Sequence, residues 1–258
     1  MGVMARRFVG RGANKVGGWG DPRSMVSQYA LRLSLGPADW AHLISGPSNA
    51  SAVELVRASD KWPGGVLALI GPEGSGKSYI AEAWRRGVCG ICVDPNLVSE
   101  GADISGLTGL PLLLEDADQL TDGRGLLSLI NLIRDNSGLL LLTARTLPSV
   151  WGLGPVDLKS RLSSLPFAEI ESPDDAMLSV LLVGLARARF MKLPDDVVQY
   201  AVSRMPRSFS AAGAFVTELE RAVSHDGRKL TVPTARLAID LMGQHPLFAS
   251  EDGDIDDG

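Results

Sequence analysis

The chain has 258 residues, of which 45% are hydrophobic and 21% charged, so it can bury a sizeable core as one large domain or as a large domain with a small one. Its formal net charge of -5 argues against broad, sequence-independent binding to phosphate backbones. The longest apolar runs, such as residues 139–142, are far shorter than the ~20 residues of a membrane span, and no signal-peptide pattern is present, so we expect a cytoplasmic protein.

The first residues, 1–24, form a basic, glycine-rich leader without helix or strand periodicity. Met25 is a second candidate start, so we attach no function to this leader. Residues 25–38 then place apolar side chains at alternate positions, namely Tyr29, Leu31, Leu33 and Leu35. A period of two is typical of an edge strand or of a contact between two copies of the chain.

Residues 66–78 carry the strongest chemical signal, an apolar run followed by G-x-x-x-x-G-K-S and a helical pattern. The loop contains small residues whose backbone N–H groups can surround phosphate oxygens, namely Gly71, Gly74, Ser75 and Gly76. Lys77 can reach the β and γ phosphates, the Ser78 hydroxyl can hold Mg²⁺, and Tyr79 follows on the helix. The sequence therefore predicts a site for ADP or ATP with Mg²⁺.

Cys89 and Cys92 form a single C-x-x-C beside the strand-like residues 90–94. A structural zinc site needs four ligands, and the three histidines have no metal-binding spacing. A thioredoxin-like motif would stand at the start of a helix. We therefore predict that the two cysteines are small buried side chains without chemistry.

A second apolar strand, over residues 112–114, ends in Glu115 and Asp116. Ligands of open α/β sheets bind at the carboxyl ends of the strands, where the first acid would hold the water shell of the metal and the second would polarise the attacking water. An acidic cap of the next helix is the alternative interpretation. The position after a P-loop favours the catalytic one.

A third apolar strand, over residues 139–145, ends in polar residues, as a strand beside a nucleotide should. Residues 124–136, between these two strands, repeat apolar side chains at helical spacing. Strands and helices therefore alternate over residues 66–170, which predicts an α/β fold with a parallel sheet covered on both faces.

From residue 172 onward the pattern changes to amphipathic segments without strand character. Four prolines stand where helices would begin, namely Pro173, Pro194, Pro206 and Pro233. We predict an α/β domain over residues 39–171, a small all-helical lid domain over residues 172–246, and an acidic, solvated tail over residues 247–258.

A P-loop α/β domain followed by a helical lid resembles the AAA+ ATPases. Residues 43–56 and 140–175 resemble the segment ahead of the P-loop and the sensor-to-finger segment of the bacterial initiator DnaA. Residues 226–239 resemble the last lid helix of the Hda-type DnaA homologues. The resemblance covers roughly residues 39–243.

Carried over residue by residue, the resemblance implies a role for each position that matches a functional position of the family. These are Asn49 on the adenine side, Lys77 and Ser78 at phosphate and metal, Glu115 and Asp116 as the acidic pair, Thr143 and Arg145 at sensor 1, Arg161 at the arginine finger, and Arg207 at sensor 2. An arginine supplied across a subunit contact can neutralise the charge that builds on the γ phosphate, so Arg161 would act in trans.

Two departures from the family pattern affect the expected turnover. Glu115 replaces the usual aspartate at the metal position and is one methylene longer, while Asp116 is one methylene shorter than the usual glutamate. Arg145 stands where relatives often carry a smaller polar or acidic residue. We expect slow intrinsic hydrolysis and a nucleotide that acts mainly as a structural switch.

Two further features separate the sequence from the initiator itself. Residues 94–110 are too few for the initiator's extra helical insertion, and no helix-turn-helix pattern follows Met242. We therefore expect no direct sequence-specific DNA binding, and no membrane partner.

Gln28, Leu31 and Leu33 fit Q-x-x-L-x-L, which resembles the peptide by which Hda-type proteins dock on the β sliding clamp, the DNA polymerase III β subunit. The resemblance thus implies a regulator that sits on the clamp, offers Arg161 to the ATP site of DnaA and restrains reinitiation; a homodimer is a further expectation. A clamp-loader-like, self-hydrolysing ATPase and a replisome adaptor with a structural nucleotide are the alternatives.

Overall fold

The computed structural model of the protein describes residues 38–99, 104–154, 156–224 and 227–243. Within this part of the chain, a sheet packed between helices is followed by a group of four helices. The leader, the 25–38 segment up to residue 37 and the acidic tail lie outside the described residues.

The sheet and the helices around it are built from residues 50–169. The strands are β1 (Val66–Ile70), β2 (Ile91–Cys92), β3 (Pro111–Leu114), β4 (Leu139–Ala144) and β5 (Phe167–Glu169). The helices are α1 (Ala50–Arg57), α2 (Lys77–Gly87), α3 (Pro95–Ser99), α4 (Arg124–Asp135) and α5 (Val156–Ser163). Short 3-10 turns cover Ser59–Lys61, Pro63–Gly65, Ser105–Leu107, Ala117–Gln119 and Pro148–Val150.

All the strands run parallel, in the order β2-β3-β4-β1-β5. At the carboxyl edge of the sheet, Ile70 of β1 pairs with Ala144 of β4, and Leu114 of β3 pairs with Leu142 of β4. The loop after β1 and the acids after β3 therefore emerge at one edge, on either side of the end of β4. This is the edge where ligands bind in open α/β sheets.

The strands are apolar along nearly their whole length because helices cover both faces of the sheet. Leu142 faces a core that includes residues of α4 and α5. Its neighbour Leu141 faces the opposite core, which includes residues of α1 and α2 and the stacked rings of Trp62 and Trp84, 5.2 Å apart. Side-chain alternation along each strand thus anchors helices on both faces.

The lid consists of α6 (Asp175–Ala188), α7 (Asp195–Val202), α8 (Phe209–Ser224) and α9 (Val232–Gly243). Asp174 caps α6 by accepting a 2.7 Å hydrogen bond from the backbone N–H of Met177. Pro194 stands immediately before α7, where its missing N–H is not needed. Phe215 of α8 is fully buried in a core formed by the four helices. The lid therefore has an apolar core of its own.

The structure confirms the predicted parallel sheet with helices on both faces and the helical lid after it. The third predicted strand, β4, ends at Ala144, one residue earlier than predicted. Among the described residues, no helix is both long enough and apolar enough to cross a membrane.

The predicted burial of the two cysteines is wrong, because Cys89 and Cys92 are both exposed. Cys92 lies on β2, a two-residue strand at the edge of the sheet that pairs only with β3. Cys89 lies in the turn before it, with φ of +53°. In the described part of the chain, no group of three His, Cys, Asp or Glu side chains is placed to hold a metal ion.

Candidate nucleotide site

The phosphate loop joins β1 to α2 over residues 71–76. Gly74 and Gly76 adopt left-handed φ values of +70° and +96°, where a side chain would be strained. Gly76 is also the residue immediately before α2, whose first residue is Lys77. A Cβ on Gly74 would collide with the Oγ of Ser210 in the lid. The shape of this loop therefore requires glycine at both positions.

The side chain of Lys77 turns back onto the phosphate loop. Its Nζ donates hydrogen bonds to the carbonyl oxygens of Gly71 at 2.7 Å and Pro72 at 2.8 Å. Only 8% of the residue is exposed, and this burial lowers the pKa of Lys77, while the negative charge of Asp116 opposes the shift. Neutral carbonyls are weaker partners for a desolvated ammonium than a phosphate would be.

Ser75 tests whether the loop fits a phosphate. Its Oγ is buried and has no hydrogen-bond partner among the described residues. A buried polar atom without a partner costs about 1–3 kcal/mol, so native structures rarely keep one without a reason. An unpaired hydroxyl inside a glycine loop, next to a buried lysine, fits a polyphosphate as the missing partner.

The acidic pair follows β3 directly. Burial raises the pKa of Glu115, and the nearby Ser78 hydroxyl opposes that shift by hydrogen bonding. Asp116 adopts a left-handed backbone with φ of +49°, and its N–H donates a 3.0 Å hydrogen bond to the Oγ1 of Thr143 on β4. Oxygen ligands from Ser78 and Glu115 match the preference of Mg²⁺ for hard donors, so these residues fit the metal.

Arg145 continues the chain directly after β4. Its backbone N–H donates a 2.9 Å hydrogen bond to the Oδ2 of Asp118, in the turn after the acidic pair. Its guanidinium forms a 2.8 Å ion pair with the carboxylate of Glu73 in the phosphate loop. Arg145 therefore bridges the end of β4 and the loop.

Asn49 organises the segment ahead of α1. Its Oδ1 accepts a 2.9 Å hydrogen bond from the N–H of Gly46, and its Nδ2 donates a 3.0 Å hydrogen bond to the carbonyl oxygen of Ile44. The residue is 2% exposed and lines a mainly apolar cavity together with Tyr79 and Phe209. Asn49 therefore holds the wall of the cavity, which adjoins the phosphate loop at Ser75 and Gly76.

The lid touches the phosphate loop through the first residues of α8 and those just before it. The backbone N–H of Phe209 donates a 2.7 Å hydrogen bond to the carbonyl oxygen of Gly74, and the side chains of Ser208 and Ser210 pack against the same glycine. Arg207 instead forms a 2.9 Å ion pair with Asp175 at the start of α6, and both side chains are more than half exposed. The lid side chains that meet the loop are thus hydroxyls and an aromatic ring.

Arg161 lies on α5, more than 80 residues after the phosphate loop in sequence. The residue is half-buried, and its guanidinium has no ion pair within the described residues. The Pro148–Val150 turn packs against α5. Val150 in this turn is 66% exposed, and Leu147 immediately before the turn is 41% exposed. A cation close to exposed apolar side chains is typical of an interface surface.

The structure brings most of the predicted site residues together at one edge of the sheet. They are Gly71, Gly74, Ser75, Gly76, Lys77, Ser78, Glu115, Asp116, Thr143 and Arg145. Asn49 and Tyr79 line the adjoining cavity, whereas Arg161 and Arg207 lie outside it. The predicted clamp-binding residues Gln28, Leu31 and Leu33 lie outside the described residues.

Sequence reasoning missed Glu73, Asp118 and Phe209. Glu73 is an acid inside a loop expected to bind an anion, which is itself a signal that a cation lies nearby. Asp118 is two residues beyond the acidic pair and holds Arg145. Phe209 contacts the loop through its backbone N–H and also lines the cavity with its ring, and no motif in the sequence marks either contact.

A parallel sheet of this order, a phosphate loop after β1, an acidic pair after β3 and a helical lid together define an AAA+ module. Residues 174–238 match a family model described as the lid domain of Hda. The lid is therefore similar to that of Hda, and the fold of the chain is similar to that of DnaA.

Solved structures of similar fold come from initiators and from a motor. Domain III of the Thermotoga maritima replication initiation protein DnaA has a TM-score of 0.68 and 16% identity, over 81% of this chain and 98% of that one. AMPPCP-bound DnaA from Aquifex aeolicus has a TM-score of 0.60 and 14% identity, over 80% and 83%. The Thermotoga maritima RuvB Holliday junction branch migration motor has a TM-score of 0.61 and 15% identity, over 80% and 72%. At these identities the likeness shows the fold alone, and no curated protein sequence matches the chain.

Proposed function

We propose that this protein, with a nucleotide bound, docks on the β sliding clamp and stimulates hydrolysis of DnaA-bound ATP, so that replication is not reinitiated. The single observation that carries the proposal is the position of Arg161, a partly exposed arginine without an ion pair in the described part of the chain. The chain's own phosphate loop already has Lys77 and Arg145 nearby. Arg161 is therefore a cation available to another molecule's site.

The protein's own site would hold ADP or ATP with Mg²⁺. Lys77 and the backbone of the loop would bind the phosphates, Ser78 and Glu115 the metal, and the cavity beside Tyr79 the base. Support comes from the unpaired Oγ of Ser75 and from the AMPPCP that two DnaA structures of the same fold contain. The bound nucleotide would supply negative charge that neutralises the buried ammonium of Lys77.

Two contacts bear on intrinsic turnover. The N–H of Asp116 is held by Thr143, and the carboxyl group of Glu115 is partly buried beside Ser78. Asp116 would orient the attacking water with a shorter side chain than glutamate, which makes proton abstraction less favourable in geometry. We therefore propose slow hydrolysis in the protein's own site, with the nucleotide acting mainly on structure.

The trans role of Arg161 follows from charge. A guanidinium is always protonated and matches the oxygens of a phosphoryl group in two-point contact. Placed against the γ phosphate of DnaA-bound ATP, it would stabilise the charge that builds in the transition state, an effect of about 10³-fold or more in comparable systems. The exposed Leu147 and Val150 near α5 would supply apolar contact to the partner.

The test of this role is hydrolysis of DnaA-bound ATP, with and without clamp loaded on DNA. Arg161→Ala should abolish the stimulation while clamp binding stays intact. Lys159→Ala removes an exposed cation from the same helix and should leave stimulation unchanged. If the Arg161→Ala variant still stimulates hydrolysis, Arg161 is not an arginine finger and the adaptor alternative is favoured. Rapid ATP turnover by the protein alone favours the self-hydrolysing ATPase.

Clamp docking is proposed from the Q-x-x-L-x-L segment alone. Gln28→Ala with Leu31→Ala should remove retention on the clamp in size-exclusion chromatography. Leu35→Ala is the matched control, because it keeps the motif but disturbs the alternation of an edge strand. Co-elution of the Gln28 and Leu31 variant with clamp rejects the docking proposal, and loss of retention in Leu35→Ala favours the strand interpretation.

A further inference from the structure

The ion pair between Glu73 and Arg145 joins two parts of the nucleotide site that lie far apart in sequence. Glu73 lies in the phosphate loop, and Arg145 follows the end of β4. The guanidinium and the carboxylate are 2.8 Å apart, and their side chains are 48% and 59% exposed. The pair is therefore accessible from the solvent side of the loop.

The backbone fixes where Arg145 stands. The N–H of Gly71, the first loop residue, donates a 3.3 Å hydrogen bond to the carbonyl oxygen of Ala144. The next residue, Arg145, is itself held by the carboxylate of Asp118 through its N–H. Because both ends of this peptide unit are bonded, the arginine stays beside the loop even if its side chain changes partner.

The charged side chains that act on Lys77 are mostly acidic. The pKa of Lys77 responds to Asp116, Arg145, Asp118 and Glu73, in that order, after the larger effect of burial. Three of these four groups are acids, and Arg145 is the one cation among them. An additional terminal phosphate would bring more negative charge into a region where acids predominate.

We propose that Glu73 acts as a latch on Arg145, and that this ion pair sets the preference of the site between nucleoside triphosphates and diphosphates. The inference deepens the proposed function and rests on nucleotide binding at this loop. Arg145 would be the cation that contacts a terminal phosphate in the protein's own site. Glu73 competes with that phosphate for the guanidinium and also repels it.

The strength of the pair suits such an exchange. An ion pair between two half-exposed side chains is weak, because water screens both charges. Phosphate oxygens accept two parallel hydrogen bonds from a guanidinium and carry more charge than a carboxylate. A triphosphate can therefore draw Arg145 away from Glu73, whereas a diphosphate leaves the pair closed.

The test is a double-mutant cycle on equilibrium affinity, with ADP and the non-hydrolysable AMPPCP titrated calorimetrically in Mg²⁺. Glu73→Gln should raise the ratio of AMPPCP affinity to ADP affinity about threefold to fivefold. Arg145→Ala should lower that ratio. In the Arg145→Ala background, Glu73→Gln should change the ratio by less than about twofold, because the latch has no cation to hold.

Glu220→Gln is the matched control. It takes the partner from Arg189 on the lid, where the two groups are 3.0 Å apart, and should leave the affinity ratio unchanged. A similar change of ratio in this variant, or an equal effect of Glu73→Gln with and without Arg145, would mean a general charge effect and overturn the latch.

The latch and the proposed nucleotide function fail in different ways. If the unmodified protein binds neither ADP nor AMPPCP, both are wrong. If it binds both nucleotides and Glu73→Gln leaves their ratio unchanged, the latch alone is wrong. Thermal melting of each variant, which we expect to match the unmodified protein closely, shows that the affinities report on folded protein.

Discussion

The α/β half and the lid differ in what they bury. Among the described residues, the buried polar side chains of the α/β half are Ser48, Asn49, Ser75, Lys77 and Thr143, whereas the lid buries Thr234. The Thr234 hydroxyl donates a 2.7 Å hydrogen bond to the carbonyl oxygen of Lys229 near the start of α9, so it has a structural role. The lid interior is otherwise apolar.

This difference indicates that the α/β half holds the candidate binding groups, whereas the interior of the lid serves to stabilise the fold. Burying a polar group is unfavourable unless it forms a hydrogen bond. Lys77 is hydrogen-bonded to loop carbonyls, whereas the Oγ of Ser75 has no partner among the described residues. Such groups are retained where a ligand completes them. The lid contributes its surface to the site instead, through the backbone of Phe209 and two serines.

The largest effect should come from the lid core. Phe215→Ala removes a fully buried ring from α8 and leaves a cavity among the four helices, which should lower the free energy of unfolding by about 3–5 kcal/mol. Urea denaturation measures this loss. A decrease below about 1 kcal/mol would show that the lid has no independent packed core and would weaken the contrast between the halves.

A smaller loss should follow from the buried amide of the α/β half. Asn49→Ala leaves the carbonyl of Ile44 and the N–H of Gly46 without a partner, at a cost of about 2 kcal/mol in urea denaturation. It should also weaken nucleotide binding, because the cavity wall loses its support. Thr234→Val is the counterpart in the lid, with an expected loss of about 1 kcal/mol and unchanged nucleotide affinity. Equal effects on affinity would remove the distinction between the two halves.

Gly74→Ala tests the surface where the halves meet. The φ of +70° should cost about 1–2 kcal/mol for any side chain, and the new methyl would also collide with Ser210. Adding Ser210→Ala should relieve the collision and restore that part of the lost stability, but the backbone strain should remain. Denaturation of the single and double variants separates the two, and no recovery would mean that the lid does not rest on the loop in solution.

The smallest effect should come from Arg207. Its ion pair with Asp175 is exposed on both sides, so Arg207→Ala should change the free energy of unfolding by less than about 1 kcal/mol. Chemical denaturation without nucleotide measures this. A loss above about 2 kcal/mol would show that this exposed pair stabilises the lid more than a solvent-screened ion pair should.

The fold was predictable because its signals are local and redundant. The inner strands β1, β3 and β4 are short apolar runs, the phosphate loop has fixed spacing, and prolines stand where the lid helices begin. The edge strand β2 was harder, because two residues paired on one side leave Cys89 and Cys92 exposed although their neighbours in sequence are apolar.

The positions of Lys77 and Ser78 were predictable, because the spacing G-x-x-x-x-G-K-S places them at the start of the helix after the loop. Side-chain pairing was not, because it depends on which loops meet in space. The pairing of Glu73 with Arg145 and of Arg207 with Asp175 joins residues more than 30 positions apart. No periodicity encodes such contacts.

The hydrogen bond from Phe209 to Gly74 has a mechanical consequence. The acceptor is a carbonyl oxygen in the middle of the phosphate loop, and the donor is the first residue of α8, which packs against α6 and α9. Turning a single peptide plane at Gly74 would withdraw the acceptor and release that end of α8. A change confined to one loop residue would thus shift α8, and the other lid helices would move with it because they share its core.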